Sequence, residues 1–246
     1  MIEALRTLFA PAPPLPVQLA LPCGVLPLHV CRNPRARRLS LRVCAATRSV
    51  RLTVPARLGE AHALAFLERH HDWLLRETAA RLPAPVPFAP GTRLPVAGRE
   101  LLLLEGEGRV ARLVDGALRV PGRDSVYAGR VKRWLREEAL LLLDRETRLL
   151  AATIGRPVQQ VRVGDFRSRW GSCSSDGRIA YSWRLLLAPP FVRRAVVAHE
   201  VAHLVELNHG PGFWRLATRL LGGRHDEARR WLKANAPLLL RYGATR

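Results

Sequence analysis

Residues 196–214 read VVAHEVAHLVELNHGPGFW and hold three histidines, His199, His203 and His209, with two glutamates, Glu200 and Glu206. On a helix advancing about 100° per residue, His199 and His203 lie about 40° apart, so both imidazoles reach one metal ion. Glu200 sits beside that face. This is the H-E-x-x-H arrangement, in which two neutral nitrogen ligands hold a metal and the carboxylate acts as general base. The flanking Val196, Val197, Val201, Leu204 and Leu207 predict a buried helix over 191–207, rigid enough to serve as a metal platform.

A catalytic zinc site takes three protein ligands and keeps a fourth position open. His209 is the leading third ligand. On an unbroken helix it would point about 120° away from His203, so it serves only if the helix ends between them. Asn208 suits the left-handed turn that ends helices, and Gly210 with Pro211 does not readily continue one. Glu206 falls within about 20° of the direction of His199 and is a rival ligand, or a partner for an imidazole N–H from the second layer around the metal. His225, Asp226 and Glu227, in a later predicted helix, are further rivals. The His203-to-His209 interval matches the metzincin pattern, but Glu206 stands where metzincins carry glycine.

Outward from this stretch, the chain reads as α+β: a β-rich N-terminal subdomain followed by a mainly helical catalytic domain of minimal zincin type with a small sheet. Residues 1–26 are proline-rich and aperiodic and read as a flexible tail. Between 27 and 122, the alternating Leu39, Leu41, Val43 and Val50, Leu52, Val54 predict a hairpin. One amphipathic helix is expected over 59–82, then a meander of short strands punctuated by glycines. From Ser125, about eight turns of helical periodicity run to Gly155, and the metallohydrolase domain is assigned to 123–246. Strands are expected in VQQVRVGDF and RIAYSWRLLL, with the loop RSRWGSCSSDG between them. No internal repeat is visible.

The formal charge of +20 would suggest nucleic acid or another anionic partner. Only Lys132 and Lys233 are lysines, however, and the arginines are scattered without a block, so the charge reads mainly as solvated faces. Cys23, Cys31, Cys44 and Cys173 show no paired spacing, which fits free thiols in a reducing compartment. An early Glu3 and several prolines break any signal-peptide core, and no apolar run approaches the roughly 20 residues that span a bilayer. A cytoplasmic location without membrane association is expected. Nucleotide-binding glycine loops and a serine-nucleophile elbow are absent, and Cys173 reads as a small packed thiol rather than a nucleophile.

Together the residues resemble the YgjP-like zinc metallopeptidases, relatives of the SprT and WLM groups. The resemblance rests on Arg169-Trp170-Gly171-Ser172-Cys173, on Arg184-Leu185, and on His199, Glu200, His203, Asn208, His209, Phe213 and Trp214. It spans about 37–240, including HDWLL near Trp73, and departs from the family at Ser182, where asparagine is common. It implies one zinc ion per chain held by His199, His203 and His209, with Glu200 as base.

The expected activity is hydrolysis of peptide bonds in a peptide or protein, with a strand around 179–183 offering an edge to an extended substrate. Arg169, Tyr181 and Arg184 are candidate oxyanion stabilisers. A second expectation, also implied by the resemblance, is a nucleoside triphosphate (UTP) pyrophosphatase at the same site, for which Arg167, Arg169, Arg178 and Arg184 would suit the phosphates. A third, from the SprT resemblance, is a nucleic-acid-associated protease.

Overall fold

The computed structural model of the chain describes residues 14–223 and 225–243. By its internal contacts the chain divides between Ala84 and Pro85 into two units.

In the first unit, the part of the expected tail from Gln18 onward is ordered as strand. β1 (Gln18–Leu21) pairs antiparallel with β2 (Gly24–Asn33), and Leu26 and Leu28 enter the core because β2 alternates faces. Residues 1–13 lie outside the described residues. The expected hairpin forms from β3 (Ser40–Cys44) and β4 (Ser49–Pro55). β4 also pairs in parallel with β2, giving the order β1-β2-β4-β3. Val43, Val50, Leu52 and Val54 close over Ala63, Leu67 and Leu74 from two helices, α1 (Glu60–Arg69) and α2 (His71–Arg81). One helix was expected. It is broken at His70, whose Nδ1 bonds the Phe66 carbonyl at 2.8 Å while its backbone leaves helical geometry at φ −100°, ψ 14°.

The second unit begins with a sheet of the same topology. β5 (Arg93–Val96), β6 (Arg99–Glu105), β7 (Arg112–Val114) and β8 (Ala117–Val120) take the order β5-β6-β8-β7, with the central pair parallel and the outer pairs antiparallel. A simple meander would place sequential strands side by side, which the parallel β6–β8 pairing prevents. These strands, grouped with the N-terminal part in the sequence reading, belong to the second unit because Leu103, Leu118 and Val120 share one core with the long helix α3 (Asp124–Ala152). α3 buries Tyr127, Val131, Leu135, Ala139, Leu143, Thr147 and Ala151, a stripe four residues apart.

After α3 come β9 (Gln160–Gly164), β10 (Gly171–Cys173) and β11 (Arg178–Ser182), in the order β10-β11-β9. β11 is therefore the central strand, parallel to β9 and antiparallel to β10. The expected edge strand near 179–183 is instead buried on both sides, and β10 forms the edge. Residues 183–187 leave the sheet as a short 3₁₀ turn. Helices α4 (Pro190–Ala202), α5 (Pro211–Leu221) and α6 (His225–Leu240) complete the unit. Among the described residues no helix is long and apolar enough to cross a membrane.

Candidate metal centre

α4 begins with Pro190 in its first turn, where the missing N–H breaks no helical bond. It buries Val192, Ala195, Val197, Ala198 and Val201 in the core. The helix ends at Ala202 rather than at Leu207: Leu204 N–H bonds Val201 O and Val205 N–H bonds Ala202 O, both at 3.1 Å, so the last turn tightens to three-residue spacing. Asn208 does not take a left-handed conformation. The chain reverses over 203–210, and Gly210 and Pro211 open α5. The break that His209 needs is present, placed earlier and made by a different turn than expected.

This reversal carries His209 back over α4. His209 Nε2 lies 3.0 Å from His199 Nε2. One ligand atom from each of His199, His203 and His209 falls within 4.8 Å of the others. Phe213, fully buried at the start of α5, meets all three rings at centroid distances of 4.5–4.8 Å and fixes their spacing. His203 Nδ1 donates to the carbonyl of Glu206 at 3.0 Å, which leaves Nε2 for a metal. Glu206 thus acts through its backbone; its carboxylate lies against Gly212, where an added Cβ would meet Oε1 at 2.8 Å. His225 stays outside the ligand set, 5.8 Å from His199 between ring centroids. Asp226 is exposed and faces Arg229.

The chemistry of the set fits a divalent cation of intermediate softness such as zinc. Burial pushes His199 down to about 3, helped by His203, His209, His225 and Arg229. Burial lowers His203 as well, and next to it His209 disfavours a charge there. The two Nε2 atoms, 3.0 Å apart, can share one N–H hydrogen or one cation, and burial disfavours a charge on His199.

Glu200 is buried beside the triad, and burial pushes its carboxyl up to about 8, with Arg169 pulling the other way. It lies directly on β10. A Cβ built on Gly171 would stand 2.7 Å from both Cγ and Cδ of Glu200, so only glycine leaves room for this carboxylate. Cys173, farther along β10, has its thiol raised to about 11 by burial and then by Glu200 and Asp176, which keeps it an inert thiol.

The three candidate oxyanion residues separate. Tyr181 is fully buried with its hydroxyl 3.0 Å from that of Thr147. Arg184 is also fully buried, ion-paired with Asp165 and stacked on Trp183. Neither presents a donor to a substrate; both hold the core beneath the sheet. Arg169 is exposed, lies over Phe166 and acts electrostatically on Glu200. Asp165, unmarked in the sequence, anchors this region by accepting from Lys132, Trp183 Nε1 and Arg184. A buried arginine demands such a carboxylate, but nothing in the sequence says which arginine is buried. Ser182, where asparagine is common, is buried and donates to the Phe166 carbonyl at 2.8 Å.

A family model described as YgjP-like, metallopeptidase domain, matches residues 37–235. That is most of the chain, and the chain belongs to this family. No curated protein and no solved structure matches it.

Proposed function

We propose that this member of the YgjP-like metallopeptidase family hydrolyses peptide bonds, with zinc held by Nε2 of His199, His203 and His209 and with Glu200 as general base. The observation that carries the reading is the placement of the Glu200 carboxylate against Gly171 on an edge strand. In the β10–β11 ladder, Ser182 N–H bonds the Trp170 carbonyl and Ser174 N–H bonds the Arg178 carbonyl. Antiparallel alternation then turns the peptide groups of Gly171 and Cys173 away from β11, toward the open edge. An extended peptide adding there brings its backbone alongside Glu200.

Bound zinc would supply Lewis acidity, polarising a carbonyl and acidifying a water. Glu200 takes the proton of the attacking water and delivers it to the leaving amine. Arg169 is the remaining oxyanion candidate. Two of the four arginines that would suit a triphosphate are already engaged, Arg184 with Asp165 and Arg178 with Asp176, which ranks nucleotide hydrolysis second.

Purified protein is expected to carry one zinc by elemental analysis and to cleave members of a casein and peptide panel, with activity lost to a chelator and restored by zinc. Hydrolysis of UTP without any peptide cleavage would overturn the reading. Gly171→Ala is expected to keep its zinc and lose about 100-fold in kcat, since the new methyl displaces Glu200 by the order of an ångström. A crystal structure of that variant with Glu200 unmoved would contradict the steric account.

A further inference from the structure

His225, at the start of α6, is only 8% exposed, and among the described residues neither of its ring nitrogens has a hydrogen-bond partner. A neutral imidazole carries one donor and one acceptor, and a buried pair left unmatched is unusual enough to require an explanation. The ring faces a pocket of about 230 Å³ that also reaches His199 and Glu200. Its other walls are mainly apolar, from Trp170, Val196, Ala228 and Leu232, and Arg229 stands among them on the exposed side of α6. A cavity of about 150 Å³ is enough to hold benzene, so this one accepts an isobutyl or benzyl group with little room left over.

We infer that this pocket is the subsite for one apolar side chain flanking the scissile bond, of leucine to phenylalanine size, and that His225 hydrogen-bonds the backbone of the same substrate residue. The inference rests on the peptidase reading and deepens it. Two features of one substrate residue answer two features of the pocket: the side chain fills the apolar walls, and its peptide group satisfies the buried imidazole. The site thereby selects for sequence as well as for peptide bonds.

Binding of amino-acid hydroxamates to zinc-loaded protein, followed by calorimetry, tests this separately from turnover. Leucine hydroxamate is expected to bind wild type at least tenfold more tightly than glycine hydroxamate. Ala228→Met, which fills the pocket, should abolish that preference. Leu232→Ala, at a half-buried position that tolerates truncation, should shift it toward phenylalanine hydroxamate. His225→Ala should weaken leucine hydroxamate about tenfold at constant zinc content, and His225→Gln should recover part of the loss. Equal affinity for the leucine and glycine probes in wild type, or an unchanged preference in the pocket variants, overturns the subsite; unchanged affinity in His225→Ala overturns the role of the imidazole. A peptide library cleaved with the same side-chain preference supports both readings. Hydroxamate selectivity without cleavage of any peptide leaves the subsite standing and sinks the peptidase assignment.

Discussion

Glu200→Gln is expected to lower kcat by about 10²–10⁴-fold while the protein keeps its zinc, because general acid–base catalysis contributes on that scale. The amide has nearly the shape of the carboxyl group and fits the niche that Gly171 leaves open, so the neighbouring β10 need not move. It cannot take a proton from water. The three imidazoles are untouched, and Phe213 continues to space them. Elemental analysis beside single-turnover kinetics checks both halves, and a variant with full activity would remove Glu200 from the mechanism. The same substitution carries a pH signature in metal-free protein. Burial raises Glu200 from 4.5 to about 8, so between those values the folded chain holds a proton that the unfolded chain has lost. The Glu200 contribution to stability therefore falls as pH rises through that window. In Glu200→Gln this contribution should vanish, leaving the opposite trend of the buried histidines, whose folded pKa values are lowered, as denaturation of chelator-treated wild type and variant compared at pH 5 and pH 8 would show.

Asp165→Asn is expected to destabilise the fold by about 3–5 kcal/mol, because it leaves the cation of Arg184 buried without its counter-charge. Arg184 has no exposed side-chain surface, and among the described residues its Nε lacks a partner and its other polar contacts include the Trp183 ring and a long 3.5 Å bond to the Tyr242 carbonyl. Burial by itself would raise the Asp165 carboxyl, but hydrogen bonds from Lys132 and Arg184, the charge of Arg184 and the Trp183 indole outweigh it and hold the group well below its ordinary 3.8. The folded pKa is depressed, so the contribution is complete above the unfolded value and is lost as pH falls below it. Urea denaturation should separate wild type from variant widely at pH 7, and the two curves should converge in acid below about pH 4. Equal stability at pH 7 would contradict the assignment.

The candidate metal centre is legible in the sequence because its information is local. The spacing of His199, Glu200 and His203 follows from one helical period, and Gly210 with Pro211 marks the restart of the chain as α5. The end of α4 was misplaced because it depends on contacts the sequence does not display: the His203 bond to the Glu206 carbonyl and the seat of His209 on Phe213. Tyr181 and Arg184 carry suitable chemistry for a substrate, but the sheet order turns Tyr181 into the core and the 3₁₀ turn that follows buries Arg184. That order joins β9 and β11 in parallel across sequence-distant segments, where local alternation gives no register. The grouping of β5–β8 was hidden for a similar reason. It rests on contacts such as the Tyr127 hydroxyl on the Leu104 carbonyl, which tie those strands to α3. Phe213 and Trp214 entered through family resemblance, and the structure supplies their physical reason.

The three imidazoles come from one short stretch, whereas Gly171 and His225 reach the centre from separate elements. Closing a flexible loop of about ten residues costs roughly 1 kcal/mol less than closing one of about thirty, the separation of Gly171 from Glu200. A partly collapsed chain can therefore capture a cation before β10 and α6 are in place, and any such capture by the unfolded ensemble subtracts from the stability that binding confers on the native state. On the proposed function, metal loading and catalytic competence are accordingly separable events, the first decided by a local turn and the second only when the whole unit has assembled.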